Sequence, residues 1–198
     1  MQDKEIRKIL IKYLKQRHSE YRIYQEKSIG SSICDLMLVT DKLTGFEIKS
    51  DSDSYERLSK QVTDYNLFFD DNYIVIGKSH IKSIESHVPK HWGIIKVDSN
   101  GTELIREPLP NRSVQRLTQL RQLWRNELRQ ILLENNMPLF SKRGKLFISQ
   151  KLVENVEFDL LGIQIANAFQ CRDYSKYHVK DNTIKSENTP MGKKHESL

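Results

Sequence analysis

Two neighbouring stretches, Ile33-Cys-Asp-Leu-Met-Leu-Val39 and Gly45-Phe-Glu-Ile-Lys-Ser50, decide the fold predicted for this chain. Both are short, largely apolar runs that favour β-strands. Charged residues interrupt them: Asp35 lies in the first run, and Glu47 and Lys49 lie in the second. Side chains two positions apart share one face of a strand, so Glu47 and Lys49 project together.

The turn between the two strands decides whether Asp35 also lies on that face. If the strands pair as a hairpin with residues 40–42 in the turn, Asp35 lies directly opposite Glu47. A two-residue turn would place the two carboxylates on opposite faces, because a shift of one residue reverses every side chain. A shared face therefore requires the three-residue turn or a β-bulge.

Two facing carboxylates with a lysine beside them suit the hydrolysis of a phosphodiester bond. Facing carboxylates repel each other unless a divalent cation bridges them, and Mg²⁺ (or Mn²⁺) prefers such oxygen ligands. A bound cation polarises a phosphoryl oxygen and lowers the pKa of a bound water, while the lysine stabilises charge in the transition state. The alternative is an exposed edge hairpin in which Glu47 and Lys49 form only a structural ion pair.

The remaining hydrophobic periodicity predicts an α/β fold in the order α, β, β, β, α, β, followed by a further α and a β-hairpin. Asp3 is the predicted N-cap of the first helix and Asp53 that of the second, where Glu56 completes a capping box. The predicted helices are 3–18, 54–69, 79–86, 113–135 and 149–170, and the predicted strands are 21–27, 32–40, 44–50, 72–77, 92–97 and 102–106.

The element order and the charged residues together resemble a known superfamily. An acid, about a dozen residues and then Glu-x-Lys, within an αβββαβ order, resemble the PD-(D/E)XK nuclease superfamily. Gln61-Val-Thr-Asp-Tyr65 is similar to the Gln-x-x-x-Tyr motif of its RecB-like branch. The wider string from Glu47 to Asp70 is similar to a group of small, mostly uncharacterised bacterial and phage proteins of that superfamily. The resemblance extends to about Val97, and Cys34 stands where the superfamily's name has proline.

The resemblance implies a restriction-endonuclease-like core with a mixed sheet, and it implies roles for residues of the hairpin. Asp35, Glu47 and the backbone carbonyl of Ile48 would bind the metal ion, and Lys49 would serve catalysis. Members often have one more acid, for which Glu26 is the candidate, provided that its face of the preceding strand meets the site.

Gln61 and Tyr65 lie four residues apart and therefore share one face of the predicted helix. The resemblance implies that they support the site or contact the backbone of the substrate. Tyr65 also continues the apolar stripe of that helix, so packing in the core is the alternative for it. Gln61 lies beside the stripe, where packing gives no reason for it.

Positive charge is concentrated in the second half of the chain: of the formal net charge of +6, residues 101–198 contribute +5. Clustered positive charge attracts phosphate backbones, so nucleic acid, most of all DNA, is the expected partner. Six residues form this candidate interface, the basic cluster: Arg121, Arg125 and Arg129, spaced four apart on the predicted helix 113–135, and Lys142, Arg143 and Lys145 in the next loop. A solvated helix face that binds nothing is the alternative.

Pro108 and a second proline two residues later mark a boundary in the chain. We expect a nuclease-like core at 1–108 and a basic helical extension at 109–178. At 179–198 we expect a disordered tail, because apolar residues are few there.

Three histidines, His80, His87 and His91, lie close together in the sequence. Their spacing would align them on one face of an unbroken helix, but Pro89 interrupts such a helix. No cysteine accompanies them, and we interpret them as surface residues rather than zinc ligands.

Length and composition exclude several classes of protein. The 198 residues are 37% apolar and 29% charged, which is ordinary for a globular chain. No apolar run approaches the roughly 18–20 residues of a membrane span, and the first twenty residues lack a signal-peptide core, so we expect a cytoplasmic protein with no membrane partner. Two cysteines cannot form a disulfide scaffold.

The sequence as a whole predicts a Mg²⁺- or Mn²⁺-dependent nuclease that acts on DNA. One alternative is a module in DNA repair or phage defence that binds nucleic acid without cleaving it. The other is a protein-interaction module whose arginines dock an acidic partner. The oligomeric state stays open, and a dimer is among the possibilities.

Overall fold

The computed structural model describes residues 1–175 and 181–188. Its helices span Asp3–Arg17 (α1), Leu58–Phe68 (α2), Arg116–Arg121 (α3), Arg125–Glu134 (α4), Lys145–Asn155 (α5) and Phe158–Gln170 (α6). Its strands span Arg22–Ile29 (β1), Ser32–Val39 (β2), Leu43–Lys49 (β3), Asp71–Ile76 (β4), Gly93–Asp98 (β5), Gly101–Arg106 (β6) and Ile184–Lys185 (β7). Two short 3₁₀ turns, Lys78–His80 and Ile84–Ser86, replace the helix expected at 79–86. The predicted α/β fold and the six predicted strands are confirmed.

Within the described residues the strands form one mixed seven-stranded sheet in the order β6-β5-β4-β3-β2-β1-β7. β3, β4 and β5 run parallel, and the other neighbours are antiparallel. Parallel neighbours need a crossover connection, and α2 supplies it between β3 and β4.

The β2–β3 hairpin has the predicted turn, but its ladder ends before the two carboxylates. Val39 pairs with Leu43, which leaves residues 40–42 in the turn, so the odd-length turn is confirmed. The last pair of the ladder is Leu36 with Phe46, and Cys34 and Met37 both belong to the cluster on the α2 side, so the alternation of β2 is broken around Asp35. Asp35 contacts Arg7 of α1, whereas Glu47 contacts Tyr65 of α2, so the register does not place the two carboxylates on one face.

Helices cover both faces of the sheet. α1 packs on one face, where Leu10 and Val75 belong to a common buried cluster. The other helices pack on the opposite face, in a second cluster that includes Tyr65 and Leu128. Residues on both sides of position 108 share this second cluster, so the helical extension buries its apolar surface against the sheet domain. No helix of the described ranges has the length and apolar character needed to cross a bilayer.

The single helix predicted over 113–135 is wrong, because the chain breaks between α3 and α4. Trp124 has extended backbone (ψ 162°), and its N–H donates to the Glu127 carboxylate at 2.6 Å, which starts α4. Glu127 also forms a buried two-pronged ion pair with Arg172, with both N–O distances at 2.7 Å. This long-range pair fixes the start of α4, and hydrophobic spacing alone cannot show it.

The helix predicted over 149–170 is likewise two helices. Val156 ends α5 in extended conformation (ψ 137°), and the Glu157 carboxylate accepts a hydrogen bond from the Leu160 N–H at 2.8 Å to start α6. The capping carboxylate interrupts an apolar pattern that runs through both helices.

Both predicted N-caps are wrong. Gln2 rather than Asp3 caps α1. α2 begins at Leu58, and Asp53 does not cap it. Asp53 accepts hydrogen bonds from the N–H and the hydroxyl of Ser50, both at 2.7 Å, so a local turn competes with an earlier helix start.

Residues 181–188 form a C-terminal strap along the edge of the sheet, so the disorder expected from residue 179 is wrong for this segment; the rest of that tail lies outside the described residues. β7 of the strap pairs with the start of β1. The Arg22 guanidinium, only 1% exposed, donates to Thr183 Oγ1 at 2.8 Å and to Asp181 Oδ2 at 2.9 Å. A buried ion pair therefore ties the strap to the sheet.

Candidate active site

Glu47 and Lys49 form a buried ion pair at the end of β3. Lys49 Nζ lies 2.9 Å from Glu47 Oε1, and their side chains are only 9% and 2% exposed respectively. The Tyr65 hydroxyl of α2 donates to Glu47 Oε2 at 2.8 Å, and Gln61 Oε1 accepts from Lys49 Nζ at 3.1 Å. The structure thus brings the Glu-x-Lys and Gln-x-x-x-Tyr residues into direct contact. Tyr65 is also fully buried, so it both supports the site and packs in the core.

Asp35 lies across the hairpin from this pair, where the ladder between β2 and β3 has ended. Its Oδ2 accepts a hydrogen bond from the Ile48 N–H at 2.8 Å. The N–H and C=O of one strand residue point to the same neighbouring strand, so the Ile48 carbonyl, a predicted ligand, is also directed toward β2. Asp35 and the Ile48 carbonyl therefore face the same gap at the end of the hairpin.

Arg7 of α1 is a residue that sequence reasoning missed. Its Nη1 donates to the main-chain carbonyl of Asp35 at 2.8 Å, and its Nη2 donates to Asp35 Oδ1 at 3.2 Å. The same guanidinium donates to Asp3, one turn earlier, with Nε 3.3 Å from Oδ1. An Asp and an Arg four residues apart are typical of an ordinary ion pair on a helix surface, so the sequence carries no signal for the contact with Asp35.

Burial shifts the pKa of both carboxyl groups upward, and the charge of Glu47 adds to the shift at Asp35. Burial, and then the charge of Glu47, raise the pKa of Asp35 to about 7, although the Ile48 N–H and Arg7 oppose this. Burial also raises the pKa of Glu47, against the attraction of Lys49. Without a cation Asp35 is therefore partly protonated near pH 7, and a divalent cation would favour release of that proton.

The donors at this site suit a hard divalent cation. Two carboxylates and a backbone carbonyl are the oxygen ligands that Mg²⁺ and Mn²⁺ take in proteins. The repulsion of Asp35 by the charge of Glu47 is also what such a cation would offset. In the part of the chain that the structure describes, no group of three or more His, Cys, Asp or Glu side chains is placed to hold a metal.

Glu26, the candidate third acid, lies in β1 with a positive φ of 51° and is exposed. Within residues 1–175 and 181–188, no hydrogen bond or ion pair joins it to Asp35 or Glu47. Its charge acts on Arg7, which contacts Asp35. As a metal ligand Glu26 stays a prediction that no contact supports.

The basic cluster assembles through a loop that packs on two helices rather than along one helix. Arg121 ends α3 and Arg125 begins α4, so their spacing does not place them on one continuous face. The following loop packs at this junction: Lys145 Nζ donates to the Arg121 carbonyl at 3.3 Å, and Arg125 Nη2 donates to the Ser141 carbonyl at 2.8 Å. The remaining members, Arg129, Lys142 and Arg143, are exposed. Binding of nucleic acid by this patch stays a prediction.

The histidines take different places. His80 is buried, so its interpretation as a surface residue is wrong. Its Nε2 lies 2.8 Å from the Ser50 carbonyl, and its Nδ1 lies 2.7 Å from the Tyr55 hydroxyl. His87 stacks on the Tyr55 ring at 4.0 Å. His80 therefore fixes the main chain directly after Lys49.

A cavity of about 270 Å³ lies at the other end of α1, bordered by Arg17, Tyr73 and Glu107. None of the residues that line it belongs to the carboxylate site. The cavity is therefore separate from the chemistry described above.

Comparison with known proteins places the chain in a family. A model of the family described as bacteriophage P4 protein cII matches residues 1–187. The chain belongs to this P4 cII family. No curated protein matches it.

Two solved structures have a distant similarity to this P4 cII family chain. One is the SPO1766 protein of unknown function from Silicibacter pomeroyi, with 15% identity and a TM-score of 0.40 over 49% of this chain and 65% of that one. The other is Pyrococcus furiosus SfsA in complex with Ca²⁺, with 14% identity and a TM-score of 0.28 over 54% of this chain and 60% of that one. The chain spans less than two thirds of the length of either structure.

Proposed function

We propose that this P4 cII family protein is a divalent-metal-dependent nuclease that hydrolyses phosphodiester bonds, most of all in DNA. The observation that supports the proposal most is the contact of the Lys49 ammonium with Glu47, at the end of the hairpin where Asp35 accepts from the Ile48 N–H. The charge of Glu47 raises the pKa of Asp35, and a cation bound to both carboxylates would offset this repulsion. The resemblance of the same residues to the PD-(D/E)XK pattern supports the same activity.

Asp35, Glu47 and the Ile48 carbonyl would hold Mg²⁺ or Mn²⁺. When bound, such a cation supplies a Lewis acid for the phosphoryl oxygen and lowers the pKa of a bound water. The Ile48 N–H orients Asp35 before any cation arrives, because it already binds Oδ2. This main-chain bond therefore fixes the orientation of the Asp35 carboxylate.

Lys49 places a positive charge where negative charge develops on the phosphate in the transition state. Gln61 and Glu47 accept two of the three ammonium protons, which leaves one for substrate. Tyr65 fixes the Glu47 carboxylate through its hydroxyl. α2 thus acts as a support that positions both charged groups of β3.

The basic cluster supports a polyanionic substrate. Exposed Arg and Lys side chains attract the phosphate backbone without reading sequence. Five of its six members are exposed, and Arg125 is partly buried where it holds the loop. This arrangement favours binding to DNA over binding to a small phosphate ester.

Cleavage of linear and supercoiled DNA with Mg²⁺ or Mn²⁺, with and without EDTA, tests the proposal. We expect cleavage by the wild-type protein, none in EDTA, and a loss on the order of 10²-fold or more for Glu47→Gln and for Asp35→Asn. Glu56→Gln is the matched control, since Glu56 is an exposed acid beside α2. Wild-type cleavage by Glu47→Gln would contradict the proposed site. Salt-dependent DNA binding without cleavage would favour the non-cleaving binding module instead.

A further inference from the structure

Every carboxylate oxygen of the candidate site accepts a hydrogen bond. The Glu47 oxygens accept from Lys49 Nζ and the Tyr65 hydroxyl. The Asp35 oxygens accept from the Ile48 N–H and Arg7 Nη2. A divalent cation that binds both carboxylates must therefore share these oxygens with their donors or displace one of them.

The four donors differ in how easily they can leave. The Ile48 N–H belongs to the main chain of a central strand, and Tyr65 is fully buried in the core. Arg7 makes the longest of the four contacts, at 3.2 Å against 2.8–2.9 Å for the others. Arg7 is also 14% exposed and comes from α1, outside the sheet.

Arg7 already contacts a second carboxylate, that of Asp3, toward which its guanidinium can shift. Its Nε and Nη2 donate to Asp3 Oδ1 at 3.3 and 3.2 Å. Its Nη1 bond to the Asp35 main-chain carbonyl, at 2.8 Å, does not involve the carboxylate and keeps the side chain nearby. The guanidinium can therefore release Asp35 Oδ1 without becoming an unpaired charge.

We propose that Arg7 occupies the place of a divalent cation beside Asp35 in the metal-free protein and shifts onto Asp3 when the cation binds, so that Arg7 sets the affinity of the site for metal. This inference rests on the proposed function, because it needs a cation at Asp35 and Glu47. It identifies Arg7 as a positioning residue outside the Asp, Glu-x-Lys and Gln-x-x-x-Tyr motifs.

The charge of Arg7 has opposite effects in the two states. Without metal it offsets the repulsion between Asp35 and Glu47 and stabilises the fold. With metal it is a like charge beside the cation and weakens its binding. Removing the charge should therefore tighten metal binding and destabilise the metal-free protein. If Arg7 had a purely structural role, its removal would instead weaken metal binding, because a looser site binds a cation less well.

Titration calorimetry of Mn²⁺ into the full chain, beside thermal unfolding in EDTA, tests the inference. We expect Arg7→Gln to bind Mn²⁺ on the order of tenfold more tightly than wild type and to unfold at a lower temperature in EDTA. Arg7→Lys keeps the charge and should stay within about threefold of wild type. Lys8→Gln is the matched control, because it removes an exposed charge from the adjacent position of α1 and should change neither measurement.

The outcomes separate this inference from the proposed function. Mn²⁺ binding that Glu47→Gln abolishes establishes the cation site, and only the Arg7 variants then test the inference. Weaker or unchanged Mn²⁺ binding by Arg7→Gln would overturn it and leave the site in place. If Arg7→Gln does not fold, weakened binding by Arg7→Lys alone would overturn it. Absence of Mn²⁺ binding by the wild-type protein would overturn both.

Discussion

The two carboxylates of the candidate site are held in different ways. Glu47 has donors from its own strand and from α2, and its side chain is 2% exposed. Asp35 depends on a main-chain N–H and on Arg7 from α1, and its side chain is 23% exposed. The contrast teaches that the hairpin presents one carboxylate fixed by the core and one at the rim whose partners can change.

Removal of each carboxylate in turn should give the largest difference in stability between the two positions. Glu47→Ala leaves the Lys49 ammonium buried without its partner, and we expect it to abolish cleavage and to destabilise the protein by about 3 kcal/mol. Asp35→Ala also removes a repelling charge and leaves Arg7 paired with Asp3, so its effect should be much smaller. Asp35→Ala should cost no more than about 1 kcal/mol.

Urea unfolding in EDTA measures both changes, with Glu47→Gln as the control that keeps the size of the side chain. Equal destabilisation by Glu47→Ala and Asp35→Ala would show that the two carboxylates are held alike.

Lys49→Ala tests the partner of Glu47 and separates metal binding from cleavage. Because a protonated lysine does not ligate a cation, Mn²⁺ affinity should stay similar or rise slightly. Single-turnover cleavage should fall by about 10²–10³, as for the loss of one group that stabilises the transition state. Lys49→Arg should not restore it, since a planar guanidinium cannot replace a compact ammonium. Wild-type cleavage by Lys49→Ala would rule out the Glu-x-Lys chemistry.

The pH dependence of stability tests the raised pKa of Asp35. Its pKa is about 7 in the folded protein and ordinary, near 3.8, in the unfolded chain, so the folded protein binds more protons between these values. The metal-free protein should therefore lose stability as the pH rises from 4 to 7. Hydrogen bonds from the Met1 ammonium and Ser79 lower the pKa of Asp51 to about 2, so its effect falls below this interval.

Urea unfolding from pH 4 to 8 checks this slope. Asp35→Asn should flatten it, and an equally steep slope in that variant would assign the proton to Glu47.

The smallest expected effect lies outside both carboxylates, in the basic cluster. Replacement of Arg121, Arg129, Lys142 and Arg143 by Gln should lower the slope of log Kd against log salt by about 0.9 for each phosphate contact that is lost. Arg125 is left in place because it holds the loop through the Ser141 carbonyl. An unchanged slope would show that the cluster is only a solvated surface.

Local patterns in the sequence predict much of the site. The three residues between Val39 and Leu43 set the register of the hairpin that leads to Asp35 and Glu47. A spacing of four on α2 places Gln61 and Tyr65 together, and both contact the Glu-x-Lys residues. These features depend only on the repeat of a strand or a helix, so a single sequence contains them.

Features that depend on long-range partners could not be predicted. The break before Arg125 follows from a pair between Glu127 and Arg172, 45 residues apart in the chain. Arg7 looks like half of a surface pair with Asp3 until α1 docks beside β2. In both cases a charged residue has a local role and a distant one, and hydrophobic periodicity reports neither.

The strap at 181–188 has a practical consequence for any shortened version of this protein. A chain that stops at residue 175 would lose β7, which pairs with Arg22 and Ile23 on the outer side of β1, and two of the acceptors of the buried Arg22 guanidinium. An unpaired strand at the edge of a sheet is a template on which other molecules add strands. Such a truncation would therefore tend to associate edge to edge and precipitate, which makes the strap a guard against aggregation.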